Sequence, residues 1–419
     1  MRLAPILSSC SFAAAAITYA GSNNHGSNVD DSEKRAAKAI KRFMVKQGVP
    51  GISVGVSSNG QKRWTSGFGY SDVEQGVPCT GNTVMRIASI SKPITAAIAA
   101  RLIEQEKLNI DLPITHYLKD LPKMSHNGEE CTITSRQLMS HTGGVRHYTK
   151  IEEGENEQVD TVKKDSDLEF LYNKKFENVT EALKMFIDDP LIAKPGTKYY
   201  YTTHGFTLLS AVMEKAAGED LKKLFRQLFC ELGMNQTYLD VNDTIIPHRA
   251  RYYRRDKTHR LENCPEVDNS YKYAAGGLLS NVHDLLKFAN VMLYSYQSDE
   301  NSMPAPFLKT ETVQKLWKGE VNSSEKNKLV MYGLGWGKVN HTERYGGLEG
   351  ADSSVRTGYW CHSGGAIGAS SHLLIKPTER DPQKGSPNGI CVVLLANVES
   401  CSLSELAHEI AEIFAEETN

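Results

Sequence analysis

The run Ile94-Thr95-Ala96-Ala97-Ile98-Ala99-Ala100-Arg101-Leu102-Ile103 is apolar nearly all round. A helix with no polar face has to be covered on every side, so it belongs at the centre of a large domain. Its mouth reads Met85-Arg86-Ile87-Ala88-Ser89-Ile90-Ser91-Lys92-Pro93. Helix residues three apart lie on one face, about 5–6 Å between Cβ atoms, so Ser89 and Lys92 can touch. A hydroxyl beside an amine is an activated-nucleophile pair. Burial and the positive end of the helix dipole both disfavour the ammonium form and push Lys92 towards acting as a base. The alternative is an N-capping serine with a solvated lysine one turn on, which is what S-x-x-K means in most chains. The buried helix weighs against that alternative. Ser91 is a rival nucleophile, but adjacent helix residues do not face each other, so it is rejected.

A length of 419 residues with 40% hydrophobic content suits one large or two ordinary domains. The net charge of −2 gives no electrostatic reason to expect nucleic acid or an acidic membrane surface. Eight cysteines with no C-x-x-C pair are not a disulfide framework. H-E-x-x-H and the calcium-loop pattern are absent, so neither metal nor cofactor is signalled.

Residues 1–30 are set apart from the fold. Met1 to Ala20 is small and apolar with one basic residue, and no acid stands before Asp30. This targeting pattern resembles a secretory signal peptide as much as a mitochondrial presequence. It is of marginal length for a membrane span, and no transmembrane helix is expected in the mature chain. Gly21 to Asp30 reads as a linker. Sequons starting at Asn178, Asn235, Asn242, Asn322 and Asn340 matter only if the chain is secreted.

Residues 31–419 read as one α+β domain. Ser32 to Gln47 predicts an amphipathic helix with Ala36, Ile40, Phe43 and Met44 on one face, stopped by Gly48 and Pro50. Gly51 to Ser58 alternates, and Asn59-Gly60 turns it into Gln61 to Tyr70, a hairpin. Gly51-Ile52-Ser53-Val54-Gly55 copies the G-x-S-x-G elbow, but that motif needs a strand, a sharp turn and a helix, whereas the alternation runs straight through Ser53. Thr134 to Ser140 predicts a short helix closed by His141-Thr142-Gly143-Gly144. Gly154 to Lys175 is dense in charge and reads as an exposed loop. Glu181 to Phe186 is a short helix, and Phe206 to Ala217 a buried one stopped by Gly218. Tyr201 and Thr203 fall on the turn before it. Gly333 to Gly337 is a glycine-rich strand or bulge. Strands Ala369 to Ile375 and Ile390 to Asn397 and a helix from Ser402 to Ala415 close the chain. Strands at both ends with helices between, roughly residues 100–270, predict an antiparallel sheet made by the termini and a mostly helical insertion.

Ser89-Ile90-Ser91-Lys92, Tyr201-Thr202-Thr203 and His362-Ser363-Gly364-Gly365 stand in the order S-x-x-K, Y-x-N, K-T-G. The chain thereby resembles the serine β-lactamase and penicillin-binding protein superfamily, and within it the animal mitochondrial serine β-lactamase-like (LACTB) family. Lys194-Pro195-Gly196, Val267-Asp268-Asn269-Ser270-Tyr271-Lys272 and Ala366 to Ser371 extend the likeness, which covers roughly residues 35–415. His141-Thr142-Gly143 copies the third motif's shape, but it ends a helix upstream of the tyrosine, and position decides for His362.

The resemblance implies a β-lactamase/transpeptidase-like fold. It also implies that Ser89 forms an acyl-enzyme and that Lys92 takes its proton. Tyr201 then serves the leaving group or the deacylating water if a nearby cation lowers its pKa. The Ser89 and Gly365 N–H groups form the oxyanion hole, and His362, Ser363, Gly364 and Thr203 contact substrate. Two departures stand out. Histidine replaces the K-T-G lysine and is mostly neutral at pH 7, and Thr203 lacks the amide of the Y-x-N asparagine. No glutamate motif for deacylation is evident. These features weigh against antibiotic hydrolysis and cell-wall transpeptidation, and the resemblance implies instead a peptidase, amidase or esterase acting on a peptide, amide or ester substrate. The resemblance further implies a mitochondrial location, a role in lipid metabolism, and a homo-oligomer or filament. The alternatives are a filament former with a vestigial pocket, an esterase, and a secreted protein.

Overall fold

The computed structural model describes residues 28–148, 169–325, 327–340, 358–378 and 387–416. The targeting stretch up to residue 27 and most of the charged loop, residues 154–168, lie outside the described residues.

The first helix, α1 (Asn28–Gln47), begins within the stretch read as linker and ends where Gly48 takes a left-handed φ of 62°. Strands β1 (Gly51–Ser58) and β2 (Gln61–Asp72) follow, joined by Asn59 and Gly60 with φ of 52° and 76°. Two positive φ values are what a two-residue hairpin turn requires. Short β3 (Val77–Pro78) borders β2. From the second half of the chain come β4 (Val321–Asn322), β5 (Val330–Tyr332), β6 (Gly337–Val339), β7 (Tyr359–Ala366), β8 (Ala369–Pro377) and β9 (Gly389–Ala396). They join in the order β4-β5-β6-β7-β8-β9-β1-β2-β3, every pairing antiparallel, with β1 seated between β9 and β2. The chain ends therefore meet in one sheet, as the terminal apolar strands require. Gly333–Trp336 forms the turn between β5 and β6, closed by a Gly333 N–H bond to the Trp336 carbonyl.

Central strands β1, β8 and β9 are covered on both faces, which is why β9 reads as an unbroken apolar run. Successive residues point to opposite layers. Val392, Leu394 and Leu374 pack with Ala36 and Ile40 of α1 and with Leu406 and Ile410 of the last helix, Ser404–Ala415. Leu373, Ile375, Val393 and Leu395 face Leu285 and Phe288 of helix Val282–Gln297 and the interior of the helical region. Each such side chain contributes about 1.5–3 kcal/mol when fully buried.

Ser53 lies mid-strand and donates to the Thr80 carbonyl at 2.8 Å, so the G-x-S-x-G pattern is a strand coincidence. Its second glycine is there for packing. A Cβ on Gly55 would come within 3.0 Å of Leu286 and Val282.

The apolar run is α2 (Ser91–Glu104), entered through a 3-10 turn, Ala88–Ile90. Of its 14 residues, Ser91 to Ala100 and Leu102 are buried. The second buried helix, α3 (Thr203–Ala217), starts earlier than the spacing predicts. Thr202 is its N-cap, accepting from the Gly205 N–H, and Thr203 is already helical. The loop read as solvated through Lys175 ends sooner than expected. Glu169 is held by Arg146 and by His204, and Phe176 is buried.

Candidate active site

Ser89 stands on the 3-10 turn between strand residues Met85–Arg86 and α2. The residue before it, Ala88, takes φ 47°, a left-handed conformation that costs an alanine on the order of 1 kcal/mol. Two contacts hold it there. The Ser371 hydroxyl donates to the Ile87 carbonyl at 2.7 Å. Gly364 of β7 presses against the turn so closely that a Cβ would lie 2.6 Å from the Ile87 carbonyl oxygen and 2.9 Å from the Ala88 Cβ. The nucleophile turn is thus clamped between helix and sheet.

One turn on, Lys92 is fully buried. Its Nζ is 3.1 Å from Ser89 Oγ and donates to the Ala275 carbonyl at 2.8 Å. The amine also sits 4.7 Å from the Tyr201 ring centre and 5.6 Å from that of Phe206. Burial first, and the charge of Lys272 second, hold its pKa well below the usual lysine value. Rival Ser91 is committed elsewhere, donating to the Ala88 carbonyl at 2.7 Å.

Tyr201 reaches the same point from the N-terminus of α3 and lines one cleft with Ser89, its ring centre 4.7 Å from Lys92 Nζ. Burial raises its pKa well above the usual phenol value. No cation turns it into a phenolate, and the phenol stays protonated. Tyr201, more than a hundred residues further along the chain, thus meets the Ser89–Lys92 pair at one cleft.

That cleft is about 470 Å³ and is lined by Ser89, Tyr201, Thr203, Ser363, Gly364 and Gly365 among others. Strand β6 pairs only with residues 359–361 of β7. Among the described residues, the stretch from His362 to Ala366 therefore has an unpaired edge on that side, beside Ser89. A Cβ on Gly365 would meet nothing within 4 Å, so its backbone is open to the cleft. Ser363 faces the cleft and shares a 2.9 Å hydrogen bond with His372 Nδ1.

His362 does not line the cleft. On a strand its side chain points opposite to that of Ser363, and it is buried against Tyr332 and Tyr201. Its partners fix the protonation pattern. Thr202 N–H donates to His141 Nδ1 (3.2 Å), which leaves the His141 Nε2–H to donate to the Tyr332 oxygen (3.2 Å). The Tyr332 hydroxyl then donates to His362 Nε2 (2.9 Å), and His362 Nδ1–H donates to the Ser363 carbonyl (2.8 Å). Burial and the nearby Lys92 push the His362 pKa down to about 3, so this wall carries no charge.

The Beta-lactamase family model matches residues 36–413. The chain belongs to the β-lactamase family. Within that family it is 38% identical over 430 aligned residues, 89% of this chain and 78% of the relative, to the Homo sapiens protein named serine beta-lactamase-like protein LACTB, mitochondrial. Solved β-lactamase-fold structures overlay closely. An octameric penicillin-binding protein homologue from Pyrococcus abyssi superposes with TM-score 0.67 at 23% identity, covering 92% of this chain and 77% of its own. A D-amino acid amidase from Ochrobactrum anthropi SV3 superposes with TM-score 0.68 at 19% identity, covering 93% and 100%. The fold is the β-lactamase/transpeptidase-like one, and the chain is a member of the β-lactamase-like serine hydrolase superfamily.

Several residues of this β-lactamase-family site were not anticipated. His141, set aside as a false K-T-G, packs 4.3 Å from the Tyr201 ring and holds the Thr202 N–H. His147 accepts from the Thr203 N–H at 3.2 Å and lines the cleft with Tyr148 and Lys272. The signal for Lys272 was a lysine inside the apolar run Tyr271-Lys272-Tyr273-Ala274-Ala275.

Proposed function

We propose that the protein is a serine hydrolase of the peptidase or amidase type that works through an acyl-enzyme on Ser89. The observation that carries this reading is a fully buried Lys92 amine 3.1 Å from Ser89 Oγ with no ion-pair partner among the described residues. Burial without a counter-charge disfavours the ammonium form and holds the Lys92 pKa well below the usual lysine value, and only a neutral amine has a lone pair for the serine proton.

Ser89 Oγ attacks the carbonyl carbon while Lys92 Nζ accepts the hydroxyl proton. The oxyanion is met by the backbone N–H groups of Ser89 and Gly365. As the tetrahedral intermediate collapses, a proton reaches the leaving nitrogen by way of the Tyr201 hydroxyl. That hydroxyl can donate because the phenol is neutral. Water then replaces the leaving group, gives its proton to the same base and frees the acid product. Extended substrate fits the open edge of β7 as an added strand, with Ser363 at its side.

A mitochondrial location, involvement in lipid metabolism and self-assembly belong to the same proposal. The location is supported by the names of the mammalian relatives, and the secreted alternative finds no support among them. Assembly is supported by a solved relative described as octameric.

A fluorophosphonate probe tests the reaction. It is expected to label the folded protein at Ser89, as read by peptide mass mapping, and Ser89→Ala is expected to take no label. Folded protein that takes no label, or takes it at another residue, overturns the proposal. Matched amide and ester substrates separate amidase from esterase.

A further inference from the structure

We infer that Lys272 is the specificity-determining residue of this cleft and takes a carboxylate carried by the substrate close to the scissile bond. The inference rests on the serine hydrolase reading and deepens it.

Lys272 ends a 3-10 turn, Ser270–Lys272, that feeds the short helix Tyr273–Gly276. This is the helix whose Ala275 carbonyl holds Lys92. Only 6% of Lys272 is exposed, yet it lines the same cleft as Ser89. Burying an ammonium costs heavily unless it is paired. Two aromatic faces offset part of that cost, with Nζ 5.4 Å from the Tyr148 ring centre and 5.0 Å from that of Tyr271. Among the described residues no carboxylate forms an ion pair with it.

The nearby acids are already engaged. Both Glu169 oxygens accept from Arg146 at 2.9 Å, and one of them also bonds His204 Nε2 at 3.0 Å. Asp268 accepts from the backbone N–H and hydroxyl of Ser270.

Among the described residues, no other lysine, arginine or carboxylate lines the rest of the cleft. Lys92 is fully buried and does not line the cleft, and His362, its pKa pushed down to about 3, is turned away into its bond with Tyr332. The strand wall contributes Ser363, Gly364, Gly365 and Ala366, and the floor Ser400, Cys401 and Ser402. Lys272 is thus the one lysine, arginine or carboxylate residue lining the cleft among the described residues. A site with an unpaired cation desolvated beside its nucleophile rejects neutral substrates and favours those that bring the missing charge. The cation of this cleft thus stands at the end of the Ser270–Lys272 turn and not on the strand, where the K-T-G pattern puts a lysine.

The test compares the mono-4-nitrophenyl ester of glutaric acid with 4-nitrophenyl pentanoate, which has the same chain length and no charge. The uncatalysed rate is subtracted, because the half-ester's own carboxylate attacks its ester. The readout is the ratio of the two kcat/KM values at one pH. A change in Lys92 basicity moves both substrates equally and cancels. Wild type is expected to favour the anionic ester about 10- to 100-fold, the range of a hydrogen bond to a charged group. Lys272→Met is expected to bring the ratio to about 1, and Lys272→Arg to retain most of the preference, which a purely structural role would not predict. A wild-type ratio near 1 with Ser89 still acylated, or a Lys272→Met ratio equal to wild type, overturns the inference and leaves the hydrolase reading standing. If Ser89 takes an acyl group from neither ester, the hydrolase reading falls and this inference with it.

Discussion

On one wall of the cleft, Ser89 and Lys92 are a single helical turn apart, and a buried amine lies 3.1 Å from the hydroxyl it serves. On the other wall, the strand that carries lysine in the K-T-G pattern carries His362, buried and tied into a neutral chain with Tyr332 and His141. The first wall keeps every residue type its motif asks for. The second keeps its backbone, with Gly364 and Gly365 in place, and has lost its charge. In the proposed reaction, nucleophilic attack would depend on one short distance and one suppressed pKa, both set within a turn of α2. Recognition depends on where charge sits around 470 Å³ of cleft, and that can be moved from wall to wall without disturbing the turn. Chemistry and specificity are therefore separable here, and perturbing each wall alone tests that separation.

The largest effect is expected on the helix wall. Lys92→Met is close in shape and removes the proton acceptor, so acylation by an activated ester should fall about 10²- to 10⁴-fold, the usual contribution of a general base. Stability should hold or rise, because a buried amine is exchanged for an apolar side chain. Stopped-flow acylation and thermal melting read the two quantities on the same sample. Full activity in this variant would place the base elsewhere and erase the contrast between the walls.

Gly364→Ala attacks the contact between the walls. The new Cβ would lie 2.2 Å from the Ser371 hydroxyl and 2.6 Å from the Ile87 carbonyl, so β7 has to withdraw from the nucleophile turn. A loss of about 1–3 kcal/mol in urea unfolding is expected, together with a fall in kcat, since the Ser371 bond that holds Ile87 is displaced. Gly365→Ala is the control for a glycine with open space around it, and its folding stability should change little. Equal destabilisation by the two would mean that the turn is not clamped by the strand.

What could be read in the sequence follows the same division. Ser89 with Lys92 was legible because a helix fixes the geometry of residues three apart. The sheet was legible because its strands are apolar runs at the two ends of the chain. Tyr201 and the β7 residues could be placed only through the ordered motifs, since no local rule brings a tyrosine to a serine more than a hundred residues away. Lys272 stood in the run Val267–Lys272 that extends the likeness but had no role assigned to it, His147 carried no motif, and both reach the cleft through tertiary packing. His141 and His362 were misjudged for a common reason. The sequence displays a histidine's type, but not the Tyr332 hydroxyl that draws both rings into the interior.

The smallest effect expected sharpens the comparison through pH. Two histidines of the strand wall, His362 and His372, are buried neutral, their pKa values pushed down to about 3 and about 4 by burial. In the unfolded chain both return to about 6.5. Between those limits the unfolded state binds more protons, so stability rises with pH up to about 6.5 and is lost progressively below it. At pH 4.5 each histidine should cost on the order of 2–3 kcal/mol relative to pH 7. Lys92 acts in a different window. Its lowered pKa makes the unfolded chain the better proton binder from that value up to about 10.4, so its contribution grows on the alkaline side. Urea unfolding at pH 4.5 and 7.0 tests the strand wall: His372→Gln should remove about half of the loss that the two buried histidines cause. An acid-side loss unchanged in His372→Gln would mean that this ring is already charged in the folded protein, and the strand wall would then carry the cation that its buried neutral histidines deny it.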